Sequence, residues 1–240
     1  MYPNLLGEFL GTMTLTAFGC GVVANLLLKD SKGNGAGWVH VNWGWAFSVM
    51  MGVYVAGAFG APQGDINPVV TLFKFLVGSA GYTFIQAILT IVAQFAGGIA
   101  GGAIVYLLYS NHWEATEDPG LKLAVFGTGP ARRNIGANCL TEVIATFFLI
   151  MGIMCIVKGN AGALTPFLVG GLIYVLGSSM GGPTGYSLNP ARDMGPRIAH
   201  AILPIPGKGD NDWSYGIMVA SLGPVIGALI AVFAYKAGPF

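Results

Sequence analysis

The sequence predicts an all-α membrane protein: six transmembrane helices plus two re-entrant half-helices, arranged as two inverted repeats. Three observations carry this reading. Of the 240 residues, 9% are charged, 54% are hydrophobic and 38 are Gly, whereas ordinary soluble domains hold about 25% charged residues. A chain with a mean hydropathy of +0.68 cannot cover itself with a charged surface. Asn67-Pro68 and Asn189-Pro190 each open a short helical stretch. Asn is a favoured N-cap, and Pro fits the first helical position, where its missing N–H has no helical partner to lose. A helix of about ten residues spans ~15 Å, half of a hydrocarbon core, so two of them entering from opposite faces would meet near the midplane. Finally, Glu8-x-x-x-Thr12 recurs as Glu142-x-x-x-Thr146.

In order along the chain, span one covers about 5–28 and is read as an uncleaved first span, since it is too long for a signal-peptide core and lacks a basic lead. A Gly-rich polar loop, 29–37, leads to span two at about 38–59, which holds Trp43 and Trp45. The segment 60–66 is irregular, with Pro62, Gly64 and Asp65, and feeds the first half-helix, about 67–77. Span three, about 82–109, carries Gln94 and the small residues Gly97, Gly98, Gly101 and Gly102. A long polar stretch, 110–135, separates it from span four at about 136–158 and span five at about 163–180. A second irregular segment, 181–188, feeds the second half-helix, about 189–200, and span six lies at about 214–236. Three spans and one half-helix per half is an odd number of crossings, so the halves, about 1–112 and 130–240 of a single membrane domain 1–240, must be inverted. Irregular backbone at membrane depth is tolerated where it is buried or lines a cavity, and two such segments at matching places point to the pathway.

A net charge of +1 argues against nucleic acid as a partner. Cys20, Cys139 and Cys155 show no metal spacing and no disulfide framework. His40, His112 and His200 lie near predicted span ends, and no Ser/His, paired-Asp or His-metal constellation appears, so no catalytic residue, cofactor or metal is expected. Lys and Arg counts disfavour a cytoplasmic N-terminus: Lys74, Lys158 and Lys236 would lie inside, with Lys29, Lys32, Lys122, Arg132, Arg133 and Lys208 outside.

The stretches Glu8–Thr12, Asn67-Pro68-Val69-Val70-Thr71, Ala93-Gln94 and Gly185–Asp193 together make the chain resemble the major intrinsic protein family, the aquaporins and aquaglyceroporins, over nearly its whole length. The motif Asn189-Pro190-Ala191 is highly specific, while Val69 replaces the usual Ala of the first motif and Asp65 stands where the family commonly has His. The resemblance implies both termini in the cytoplasm of a multi-pass cell-membrane protein, contact with membrane lipid, and a homotetramer with one pore per subunit. That orientation is preferred here over the charge count. Asp193, directly after the pore Arg, marks the glycerol branch. The family's narrow filter maps to Trp45, Gly177, Tyr186 and Arg192; Trp45 rather than Trp43 follows from counting back from Tyr54-Val55-Ala56-Gly57. Gly177 takes the place of the His of water-selective members and is expected to widen the constriction, and Tyr186 replaces the Phe of glycerol facilitators.

From chemistry, Arg192 offers a planar fork of donors to two hydroxyl oxygens and a charge that repels cations. Trp45 and Tyr186 would form an apolar corner. Asn67 and Asn189 would donate amide hydrogens into the pore, carbonyls of 64–66 and 186–188 would accept, and two positive helix ends would raise the barrier to protons. Glu8 and Glu142 are buried acids that need partners, read as braces of the irregular loops with a proton relay as the alternative. Asp193 is expected to cap or brace the second half-helix, and Asp65 either braces the first loop or faces the vestibule as a pH-sensitive group. Arg197 is expected to pair with carbonyls or an acid. The function expected is a passive channel for glycerol and water, with dihydroxyacetone, urea or neutral small acids as further solutes. The alternatives are an ion-coupled transporter of the same plan and an intramembrane enzyme.

Overall fold

The computed structural model describes residues 4–239, and within them the chain forms ten α-helices and no strand. The long helices are α1 (Asn4–Leu27), α2 (Trp38–Ala58), α4 (Phe84–Leu108), α6 (Ile135–Lys158) and α7 (Thr165–Ser179). The half-helices are α3 (Pro68–Val77) and α8 (Pro190–Ile202). Two short helices are α5 (Pro119–Phe126) and α9 (Trp213–Met218), and α9 is followed by α10 (Leu222–Ala237), which is as long as α7. By length and hydropathy, the segments Asn4–Leu27, Phe84–Leu108, Ile135–Lys158, Gly162–Ser179 and Trp213–Ala237 can cross a membrane. Span two, α2, has 21 residues, about 31 Å of helix, and completes the set of six; His40 and Asn42 lower its hydropathy, and Asn42 is buried.

The helix ends follow local chemistry. Asn67 and Asn189 are extended N-caps whose side-chain oxygens accept from Val69 N, and from Ala191 N and Arg192 N, respectively. Each is followed by Pro at the first helical position. Gly78, in the left-handed region at φ 74°, ends α3 after ten residues. Thr83 and Gln86 form a reciprocal capping box at the start of α4.

Span six is not continuous. Pro224 lacks the N–H that would bond the carbonyl of Ala220, four residues earlier, and its ring crowds that carbonyl. The helix breaks between Met218 and Leu222. Ser187 Oγ donates to the freed Ala220 carbonyl at 2.8 Å, so the break ties span six to the second irregular segment.

The stretch 110–135, read from sequence as a polar loop, contains α5. Asp118 caps it through Gly120 N and Pro119 stands at its first position, the same signal that opens the half-helices. Trp113, Val125 and Phe126 are fully buried there, with Trp113 and Phe126 stacked at 5.5 Å.

Small residues let the helices approach closely. A side chain on Gly97 or Gly101 of α4 would strike α1 at Thr12 and Thr16; one on Gly98 or Gly102 would strike α8. In the other half, Gly223 and Gly227 of α10 receive Glu142 and Thr146 of α6 in the same way. Thr12 thus packs on Gly97 as Thr146 packs on Gly227, so the repeated Glu-x-x-x-Thr also marks a repeated helix contact.

Candidate functional site

The N-termini of α3 and α8 meet inside the bundle. Asn67 Nδ2 donates to the Leu188 carbonyl at 3.0 Å, and Asn189 Nδ2 donates to the Ile66 carbonyl at 2.8 Å. Each asparagine therefore caps its own helix with its oxygen and holds the opposite loop with one amide hydrogen. The second hydrogen of each amide is left over.

The loops themselves are wound in the left-handed region at alternate positions: Gly64 (φ 49°) and Ile66 (φ 44°) in one, Tyr186 (φ 40°) and Leu188 (φ 55°) in the other. For a β-branched residue such as Ile66 this conformation is strained by about 1–3 kcal/mol and persists only when its surroundings impose it. The carboxylates impose it. Glu8 accepts from Asp65 N at 2.8 Å and Ile66 N at 2.7 Å. Glu142 accepts from Ser187 N and Leu188 N, both at 2.9 Å. Gln94 and Gln63 donate to Glu8, and Thr184 donates to Glu142. With their N–H groups turned to these acids, the loops leave the carbonyls of Gly64, Asp65, Tyr186 and Ser187 without a donor among the described residues.

A lumen of about 100 Å³ runs beside this backbone. One side is polar: Asn67, Asn189 and the two loops. The other is apolar, with Val49, Val53, Leu149, Ile153 and Ile173 among its residues. Trp45, Tyr186 and Arg192 close it at one end; Gln63, Lys74, Val157 and Thr165 surround the other, on the face where α1 begins. The Arg192 guanidinium lies 3.8 Å over the Trp45 ring and has no hydrogen-bond partner among the described residues, although its backbone N–H is fixed by Asn189. Its donors are available to whatever occupies the lumen, and the indole face supports the cation.

Gly177 packs directly against Tyr186. A Cβ there would lie 2.7 Å from Tyr186 Cζ and 2.5 Å from Asn42 Oδ1. The space that the glycine vacates is filled by the tyrosine ring rather than left open. Val69 is buried in a cluster with Ile150, Ala228 and Ala231, where small α10 residues accommodate its extra bulk; Ala191 is equally buried and packs at Gly98. Trp43 is not among the residues around the lumen; its ring lies tilted at 35° against Tyr174, with centroids 4.3 Å apart.

Asp193 accepts from Thr128 N and Thr128 Oγ1, both at 2.6 Å, and from Arg197 Nε at 2.9 Å. Arg197 also donates to the carbonyls of Thr128 and Asn211, so the pair knits α8 to both loops of that face. The Asp65 side chain is fully buried and committed to protein donors: it accepts from Thr71 and Tyr82 at 2.8 Å and from Lys74 at 2.5 Å. Tyr82, a neutral phenol, is the donor in its contact with Asp65. Lys74, Gln63, Asn42 and Trp38 were not singled out from sequence as site residues. Lys74 carried the only available signal, a cation at the last turn of a half-helix.

Residues 1–235 match the model of the family described as Major intrinsic protein. The chain is 49% identical over 232 residues to the probable glycerol uptake facilitator protein of Thermotoga maritima, covering 96% of this chain and 97% of that protein. It is 46% identical over 237 residues to glycerol uptake facilitator protein 3 of Lactiplantibacillus plantarum, covering 98% and 97%. The fold matches the X-ray structure of the aquaglyceroporin from Plasmodium falciparum with a TM-score of 0.85 at 24% identity, over 98% of this chain and 96% of that one.

Proposed function

The chain belongs to the major intrinsic protein family, and on that premise we infer that it is a passive channel for glycerol and related small uncharged solutes, with water. The observation that carries the reading is the two-sided lumen. Free carbonyls, asparagine amides and an unpartnered guanidinium line one side, and aliphatic side chains line the other. A polyol has hydroxyls on one edge and carbons on the other. It can exchange part of its hydration for these partners without a coupling ion.

In this reading Arg192 binds hydroxyl oxygens while Trp45 and Tyr186 hold the carbon side. Gly177 acts through Tyr186. Asn67 and Asn189, set by Pro68 and Pro190 and packed through Val69 and Ala191, offer their second amide hydrogens at the midpoint. Protons and cations are excluded by two helix N-termini and Arg192 acting on one file. Glu8, Glu142, Asp65 and Asp193, the acids an ion-coupled transporter would need, are each committed to N–H, hydroxyl or cationic donors. Dihydroxyacetone, urea and neutral small acids share the size and neutrality of glycerol and are further candidate solutes. The protein is proposed to sit in the cell membrane as a homotetramer, in contact with lipid, with both termini and the Lys74 mouth cytoplasmic.

Stopped-flow light scattering across this solute panel tests the reading. Proteoliposomes should re-swell in glycerol well above the rate of protein-free vesicles, and a glycerol rate equal to that of empty vesicles would refute it.

A further inference from the structure

The ring of Tyr186 is enclosed on the side turned from the lumen. Trp38 meets it edge-on, with centroids 5.7 Å apart at 86°, and Trp38 Nε1 donates to the Gly177 carbonyl at 3.1 Å. A Cβ on Gly181 would collide with the ring, and one on Gly177 would stand 3.0 Å from Tyr186 Oη. That hydroxyl is buried and has no hydrogen-bond partner. Asn42 Oδ1 is also buried without a partner and borders the same point, 2.5 Å from the would-be Gly177 Cβ. Asn42 is 1% exposed, lies one turn before Trp45, and uses Nδ2 to donate to Ser178 Oγ at 3.3 Å. Two unpaired polar groups therefore face one small space between α2, α7 and the loop that carries Tyr186. A buried hydroxyl and a buried amide oxygen are each unfavourable alone. Together they are complementary, because the hydroxyl donates and the amide oxygen accepts. Turning the amide end for end would present a donor to the hydroxyl oxygen instead, so either orientation can pair.

We propose that Asn42 is a positioning residue for the constriction: its side-chain amide engages the Tyr186 hydroxyl in the conducting channel and holds the ring against Gly177 and Gly181, clear of the path beside Arg192. The proposal rests on the reading of the lumen as the solute path. It gives the tyrosine hydroxyl a task on the far side of the ring from the solute. A phenylalanine at this place would leave Asn42 Oδ1 without a donor. It also makes the width available to a polyol depend on a residue that does not line the lumen.

A double-mutant cycle on the full-length protein in liposomes tests this, reading the glycerol-to-water permeability ratio for the wild type, Asn42→Leu, Tyr186→Phe and both together. A general loss of folded channel lowers both permeabilities and leaves the ratio unchanged, so the ratio reports the constriction. Each single change is expected to lower the ratio several-fold, and the double variant to match either single. If the two effects multiply, or if Asn42→Leu leaves the ratio at the wild-type value, the proposal is overturned. Asn42→Ala takes the same place in the cycle should the leucine variant aggregate on gel filtration. Failure of the channel reading itself looks different, because the wild type would then conduct no glycerol.

Discussion

Asn67 and Asn189 hold one another's loops: each donates an amide hydrogen to the carbonyl preceding the other asparagine, at 3.0 and 2.8 Å. The midpoint of the lumen is therefore a reciprocal clamp between the two halves. Removing either amide frees a buried carbonyl, and an unpaired buried acceptor costs about 1–3 kcal/mol. Asn67→Ala and Asn189→Ala should each lower the unfolding temperature in detergent and reduce glycerol flux. Differential scanning fluorimetry beside flux assays checks this. Unchanged stability in both variants would mean the clamp contributes nothing.

Glu8 and Glu142 bind backbone N–H groups with both carboxylate oxygens. A glutamine has one acceptor oxygen, and its NH₂ would face a backbone donor. Glu8→Gln and Glu142→Gln should each destabilise by roughly 2–3 kcal/mol, the scale of hydrogen bonds to charged groups. Solute selectivity of the surviving folded channel should be preserved. A fully stable glutamine variant that has lost transport would point to proton relay instead.

Gly177 acts through its neighbour. A methyl group there would stand 2.7 Å from Tyr186 Cζ, closer than carbon atoms pack, and the ring must move. Gly177→Ala should therefore lower the glycerol-to-water permeability ratio, and Gly177→His should lower it further. An unchanged ratio in Gly177→His would show that the glycine has no bearing on the constriction.

At the face where α8 ends, burial alone would raise the Asp212 carboxyl, but the Arg133 guanidinium, the Arg197 charge and the Tyr215 N–H together hold the group below its usual range. A depressed carboxyl stabilises above its unfolded value and loses that contribution as pH falls through its folded value. Amides in the loops around Arg133 and Asp212 should thus show high protection factors, relative to the intrinsic exchange rate at each pH, at neutral pH, and these factors should fall once the pH drops below the ordinary carboxyl range near about 3.9. Hydrogen exchange followed by mass spectrometry reads this directly. Protection that stays level across the acid range would exclude the pair as its source.

Local chemistry made much of this legible in the sequence. Asn-Pro caps, Gly-rich contact faces and the repeated Glu-x-x-x-Thr depend on residues close in the chain or on symmetry between the halves, so the spans, half-helices and loop acids could be read directly. Two features followed local rules and were still passed over: Asp118-Pro119 announces α5, and Pro224 breaks span six at Ala220. What stayed hidden depends on distant partners. That Tyr186 occupies the space beside Gly177, with Asn42 behind it, follows from how α2 and α7 pack, and no spacing along the chain encodes it. Likewise, Asp65 alone was ambiguous; its commitment to Thr71, Lys74 and Tyr82 appears only once α3 has folded back over the loop.

The most direct test of a passive channel is glycerol uptake into ion-tight proteoliposomes, with and without ionophores that collapse proton and sodium gradients. The account predicts identical rates in both conditions and a final internal concentration equal to the external one. Uptake abolished by the ionophores, or accumulation above the external concentration, would contradict it.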